Sequence, residues 1–240
     1  MWQPVREVEI ESTINGLKRH RAPGVDGVTP MMLKCAGLVM LGQITDLFNA
    51  ILIEGSVPES LAVGKMTLIN KKSPSLKVYD KRPLTVSSVI LSVFTKVLHG
   101  RLNPICEAEQ YYGEVQYGFH SGRSTTDCIF MPLPAICHAK RNHQVISVAF
   151  CDIAKVYDSL DRELLYRKLD SLGFFGSIKS LIQSMYFNYC VYFRIKGGLS
   201  APLWFTKGVK KGCVLSPLLF ALYISILGRI LCLELHAEKQ

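Results

Sequence analysis

No two of the eight cysteines stand in a C-x-x-C spacing, and none of the six histidines clusters with them. That removes the common zinc-binding frames, and no zinc is expected. Met1–Glu11 is charged where a secretory leader would be apolar, so secretion is not expected and the thiols read as reduced and buried. The apolar stretch Val214–Leu227 falls short of the ~20 residues a membrane span needs, contains Pro217 and runs into Gly228-Arg229. It reads as a buried core helix, and no membrane partner is expected. Acids are scarce beside bases: 19 Asp and Glu against 28 Lys and Arg, a formal net charge of +9. This balance suggests a polyanionic partner, of which nucleic acid is the commonest. Repeats and low-complexity stretches are absent too. With 49% hydrophobic residues in 240, the chain can bury a core of its own, as one large domain or two small ones.

The pattern of what is present alternates helices with short strands. Pro4–His20 reads as an amphipathic helix with cations at its C-terminal end. Arg21–Pro30 is a Gly- and Pro-rich loop, and Thr29-Pro30 is a cap and first-turn pair for the next helix. Leu38–Glu54 continues helical, stopped by Gly55. Lys65–Asn70 is a short strand, and a basic loop follows it through Pro83. Ser88–Leu102 is a long helix with an apolar stripe. Gly118–Thr125 is a turn with a basic centre. The helix beginning at Thr125 contains Pro132 and Pro134, each of which costs about 3 kcal/mol or forces a kink. Val145–Cys151 reads as a buried strand ending at Asp152. Helices follow over Arg162–Leu172 and Ile178–Phe187, then a hairpin of Val191–Lys196 with Pro202–Thr206, then a helix over Leu215–Leu235. The fold class expected is α+β.

Five segments, taken in order, resemble the reverse transcriptase domain of non-LTR (LINE-type) retrotransposons. They are "RAPGVDGVTPMMLK", "LINKKSPSLKVYDKRPLTVSSVILSVFTKVLHGRL", "QYGFHSGRSTTDCIF", "VAFCDIAKVYDSLDRELLYRKLDSLGF" and "GVKKGCVLSPLLFALYI". Together they cover nearly the whole chain. The resemblance implies a right-hand polymerase: mainly fingers over about 1–140 and part of the palm over about 141–240, without a thumb. It implies RNA template, DNA primer and dNTP as partners and two Mg²⁺ ions as cofactors.

The resemblance also assigns roles. Asp152 is the catalytic and metal-binding acid, because a nucleotidyl transferase holds two dications about 3.5–4 Å apart on hard oxygen ligands. The main-chain carbonyl of Ile153 is a helper ligand. Tyr157 stands at the sugar gate, with Val156 where the family has alanine. Arg82, with Lys71 or Lys72, faces the triphosphate; for the lysines a solvated basic loop is an equal reading. Gly212 approaches the nucleotide. Arg123, Gly208, Lys210 and Lys211 fall in template-handling segments. Three further departures stand out: Lys81 replaces a tyrosine, His120 an arginine and Lys211 a glutamine. Asp158 reads as an N-terminal or capping acid of the following helix, not a ligand.

The family completes its metal site with an Asp-Asp pair, and no such pair occurs in this sequence. The expectation is therefore a polymerase domain inactive alone. The alternative is a basic nucleic-acid-binding remnant without chemistry. A third reading is an unstable fragment with an unpaired sheet edge and an exposed apolar face.

Overall fold

The computed structural model describes residues 3–70, 77, 80–187, 189–195 and 198–237, with side chains except those of Arg82 and 228–237. In chain order its elements are α1 (Glu7–Asn15), α2 (Pro30–Cys35), α3 (Gly37–Glu54), α4 (Glu59–Ala62), β1 (Gly64–Asn70), β2 (Lys81–Ser87) and α5 (Val89–Ala108). Then come α6 (Thr125–Phe130), α7 (Leu133–Arg141), α8 (Val156–Ser159), α9 (Arg162–Ser171), α10 (Ser177–Phe187), β3 (Cys190–Ile195), β4 (Gly198–Leu199), β5 (Leu203–Trp204) and α11 (Leu215–Ala237).

Local chemistry sets many of these boundaries. Thr29 caps α2 by accepting from Met32 N, with Pro30 at the first helical position. Gly55 closes α3 in the left-handed region at φ 64°. Ser88 caps α5 by accepting from Ile90 N and Leu91 N. The prolines after Thr125 break one expected helix into two, α6 and α7, with Pro134 in the first turn of the second. The strand β2 is a correction, since its first three residues were expected as loop. Pro83 is tolerated there because β2 is the edge of the sheet.

The sheet runs β2-β1-β3-β4, with β5 also on β3. β1 is antiparallel to β2 and parallel to β3, pairing Gly64 with Ser87 on one side and with Val191 on the other. The expected hairpin is present as β3 against β4 and β5. The main core packs α1, α3 and α5 against α9, α10 and α11. Phe48 and Phe94, both fully buried, meet at its centre with ring centroids 4.9 Å apart. Arg101 ties the N-terminus down through a 2.7 Å ion pair to Glu9 and bonds to the carbonyls of Gln3 and Pro4. That guanidinium holds the Glu9 carboxyl below its ordinary value.

Val214–Leu227 does enter the core, with Leu215, Leu218, Leu219, Ala221 and Leu222 buried. Among the described residues one helix, α3, is long and apolar enough to cross a membrane; its Leu41, Ile44, Phe48 and Ile51 are buried against the core.

The buried strand expected over Val145–Cys151 does not form. Residues 144–153 have no regular structure, and Phe150 is 95% exposed. A strand exists only through its ladder partners, and no described strand lies beside this segment. The helices before it are equally open: every residue of α6 is exposed, and Ala139 alone is buried in α7.

Candidate nucleotide and nucleic-acid site

Two of the sequence-defined segments meet side by side. Val209 N donates to Tyr157 O and Gly208 N to Leu160 O, both at 2.8 Å. Gly208 has φ 79°, and a Cβ there would lie 2.5 Å from Tyr157 O and 2.9 Å from Asp158 Cα. Only glycine fits so close a crossing. Gly212, at φ 94°, makes the second close approach: a Cβ would stand 2.9 Å from Thr85 O on β2. Both glycines were expected to let backbone approach a nucleic acid or nucleotide. The approaches on view are to the chain's own backbone.

Tyr157 is half-buried, edge-on to Phe220 at 5.9 Å, and burial raises its phenol above the ordinary value. With Asp158, Gly208, Lys211, Met66 and Thr85 it lines a cavity of about 80 Å³. Lys211, on the glutamine position, pairs with the Asp158 carboxylate. Asp158 is a helix-start acid, as one of the two expected readings had it, but not the cap of α9. That cap is Asp161, accepting from Glu163 N and Leu164 N, while Asp158 lies in the first turn of the four-residue α8.

Lys210, expected at nucleic acid, is instead turned inward. It is 1% exposed, donates to Ala62 O at 3.0 Å and sits 4.4 Å over the Tyr189 ring. Burial pushes its ammonium down to about 8. Its ammonium lies between Ala62 at the end of α4 and the rings of Tyr186 and Tyr189. Arg123 is also spent locally. It donates to Glu114 O and Gln116 O and covers the Tyr117 ring at 5.1 Å, so it shapes its own turn. His120 contacts Glu107 at 3.0 Å and the edge of Tyr112.

Asp152 stands on the irregular segment, exposed, with no described residue hydrogen-bonded or ion-paired to it. Ile153 lines a separate apolar groove of about 650 Å³ with Val156, Leu164, Phe220, Tyr223 and Leu227. Arg82 pairs through its backbone with Ile69 on β1, and its side chain lies outside the described residues, as do Lys71 and Lys72. Among the described residues no three of His, Cys, Asp or Glu come together. Asp152 is a single carboxylate, and Asp158 is engaged by Lys211. These residues alone do not make a two-Mg²⁺ site.

Arg162 is the residue that sequence reasoning missed. It donates to the carbonyls of Gly208, Tyr186, Phe205 and Lys207 at 2.7–3.1 Å and lies over the Tyr186 ring. One signal was in the sequence. A cation at the first position of a helix opposes the helix dipole, so it needs some other employment.

The Tyr157 and Gly208–Lys211 segments are thus joined in one mixed helix-and-sheet chain. Residues 69–235 match the family described as "Reverse transcriptase (RNA-dependent DNA polymerase)", and the chain belongs to it. It is 25% identical over 225 residues to a probable RNA-directed DNA polymerase from transposon BS of Drosophila melanogaster, covering 92% of this chain and 24% of that protein. It is 27% identical over 238 residues to the Retrovirus-related Pol polyprotein from type-2 retrotransposable element R2DM of the same organism, covering 99% and 22%. Its relatives are thus proteins of non-LTR retrotransposons, and the chain spans about a quarter of their length. A chain of a solved structure titled "Partial Cas6-RT-Cas1--Cas2 complex" aligns with a TM-score of 0.48 and 20% identity over 91% of this chain and 32% of that one.

Proposed function

We propose that this chain is the fingers and part of the palm of a LINE-type RNA-directed DNA polymerase, with RNA template, DNA primer and dNTP as its partners. The observation that carries the reading is the direct backbone pairing of Tyr157 with Val209, which brings two family segments from distant parts of the sequence together. The Tyr157 ring forms the wall beneath the sugar of an incoming nucleotide and leaves no room for a 2′-hydroxyl. Gly212 gives the nucleotide a close approach to backbone, and Arg82 with Lys71 or Lys72 meets its triphosphate. Arg123, Gly208 and Lys211 belong to the template side, their direct bonds being internal.

Asp152 and the Ile153 carbonyl are this chain's contribution to Mg²⁺, whose chemistry when bound is to activate the primer hydroxyl and neutralise the triphosphate. One carboxylate cannot align two dications, so the 240-residue chain is expected to bind Mg²⁺-dNTP weakly and not to extend a primer. Two measurements test this: primer extension on an RNA template with Mg²⁺ and dNTPs, and Mg²⁺-dependent dNTP binding with and without Asp152→Asn. Extension that Asp152→Asn abolishes would overturn the inactivity. Nucleic-acid binding with no Mg²⁺-dependent dNTP binding would favour the second reading, a basic remnant without chemistry, which the net charge of +9 motivates.

A further inference from the structure

The guanidinium of Arg162 is unusual in what it bonds. Nε donates to Gly208 O at 2.8 Å, Nη1 to Phe205 O at 2.7 Å and Tyr186 O at 3.1 Å, and Nη2 to Lys207 O at 3.1 Å. All four acceptors are main-chain carbonyls, and no carboxylate among the described residues pairs with it. An ion pair on the surface can shift and re-form at little cost. A planar fork holding four carbonyls in place cannot, because each bond constrains the others.

The places joined are specific. Arg162 opens α9, directly after the turn that follows α8 and Tyr157. Three of its acceptors, on Phe205, Lys207 and Gly208, belong to the loop that leads into Val209–Gly212. The fourth, on Tyr186, lies in the last turn of α10. The two backbone bonds from Gly208 and Val209 cross the same seam, and the Lys211–Asp158 pair closes it on the exposed side. Without Arg162, two backbone bonds and one exposed ion pair would remain to fix the seam.

We infer that Arg162 is a positioning residue that sets the Val209–Gly212 segment against Tyr157, and so fixes the wall of the nucleotide site. This rests on the reading of Tyr157 and Gly212 as nucleotide contacts. Arg162 touches no nucleotide in this arrangement and acts only through the loop it holds. Lysine keeps the charge but offers one ammonium in place of a fork, so it does not substitute.

Amide hydrogen exchange on Arg162→Lys tests the inference, with Mg²⁺-dTTP binding measured alongside. The Gly208 and Val209 amides are expected to exchange about tenfold faster or more, the scale of losing one charge-assisted hydrogen bond. Amides of Phe94 and Leu98 in α5 are expected to stay as protected as in the wild type, and dTTP binding to weaken about tenfold. Unchanged protection at Gly208 and Val209 would overturn the inference. So would equal acceleration of every core amide, which marks a merely structural residue. If Arg162→Lys does not fold, the wild type still decides: the Arg162 Nε–H is expected to exchange slowly, and fast exchange rejects the seam. A wild type that binds no dTTP counts against the polymerase reading, while the exchange rates still judge the seam.

Discussion

Two apolar runs of similar character end up in opposite environments. Leu215–Leu222 packs its leucines into the core at 0–2% exposure. Val148–Cys151 lies open, with Phe150 at 95%. Their hydrophobicity does not separate them; their means of satisfying the backbone does. A helix closes its own hydrogen bonds and then needs only a surface to pack on, whereas a strand needs neighbours before it exists at all. The helix finds α5 and α9, and the strand-like run finds no described partner.

The contrast can be broken or sharpened by experiment. Phe94→Ala, at the centre of the packed region, is expected to cost roughly 3–5 kcal/mol and to lower the denaturant midpoint sharply or prevent folding. A loss below about 1 kcal/mol would mean that Phe94 does not sit in the packed core. Gly208→Ala comes next. Its Cβ would meet backbone at 2.5 Å in a left-handed conformation, so a loss of about 2 kcal/mol or more is expected in the same titration.

Lys210 gives a pH signature. Its folded value near 8 lies below the ordinary 10.5, so the folded state disfavours its charge. Below pH 8 the ammonium is charged folded and unfolded, and the burial penalty is present in full. As pH rises from about 8 towards 10.5, the folded state loses its proton first and this contribution to stability increases. Thermal melts of the wild type against Lys210→Met over that range should show a larger rise in the wild type than in the variant. The smallest effect belongs to the open region: Phe150→Ser is expected to change stability by less than about 0.5 kcal/mol. A larger loss would show that the 144–153 segment is packed in solution.

The sequence made legible those features that depend on short spans. The cap at Thr29, the Gly55 stop and the proline break after Phe130 each follow from a few neighbouring residues. The orientation of Lys210 and the employment of Arg162 were not legible, because both depend on residues far along the chain. Asp158 illustrates the same limit. Its neighbours mark it as a helix-start acid, and only the fold supplies Lys211 as its partner. Motif resemblance singled out the Tyr157 and Gly208 segments separately; that their backbones meet, and that Lys210 rather than Lys211 faces inward, came only from the fold.

The parallel pairing of β1 with β3 has a kinetic side. Gly64 waits for Val191, and the nearby Lys210–Ala62 bond spans 148 positions. Such contacts repay the entropy of closing a very long loop only late in folding. During synthesis β1 can pair with β2 early, but its other edge stays bare until more than half of the chain has been made. For that interval the nascent protein carries an open strand edge, and a chaperone that shields such edges should raise the yield of folded chain.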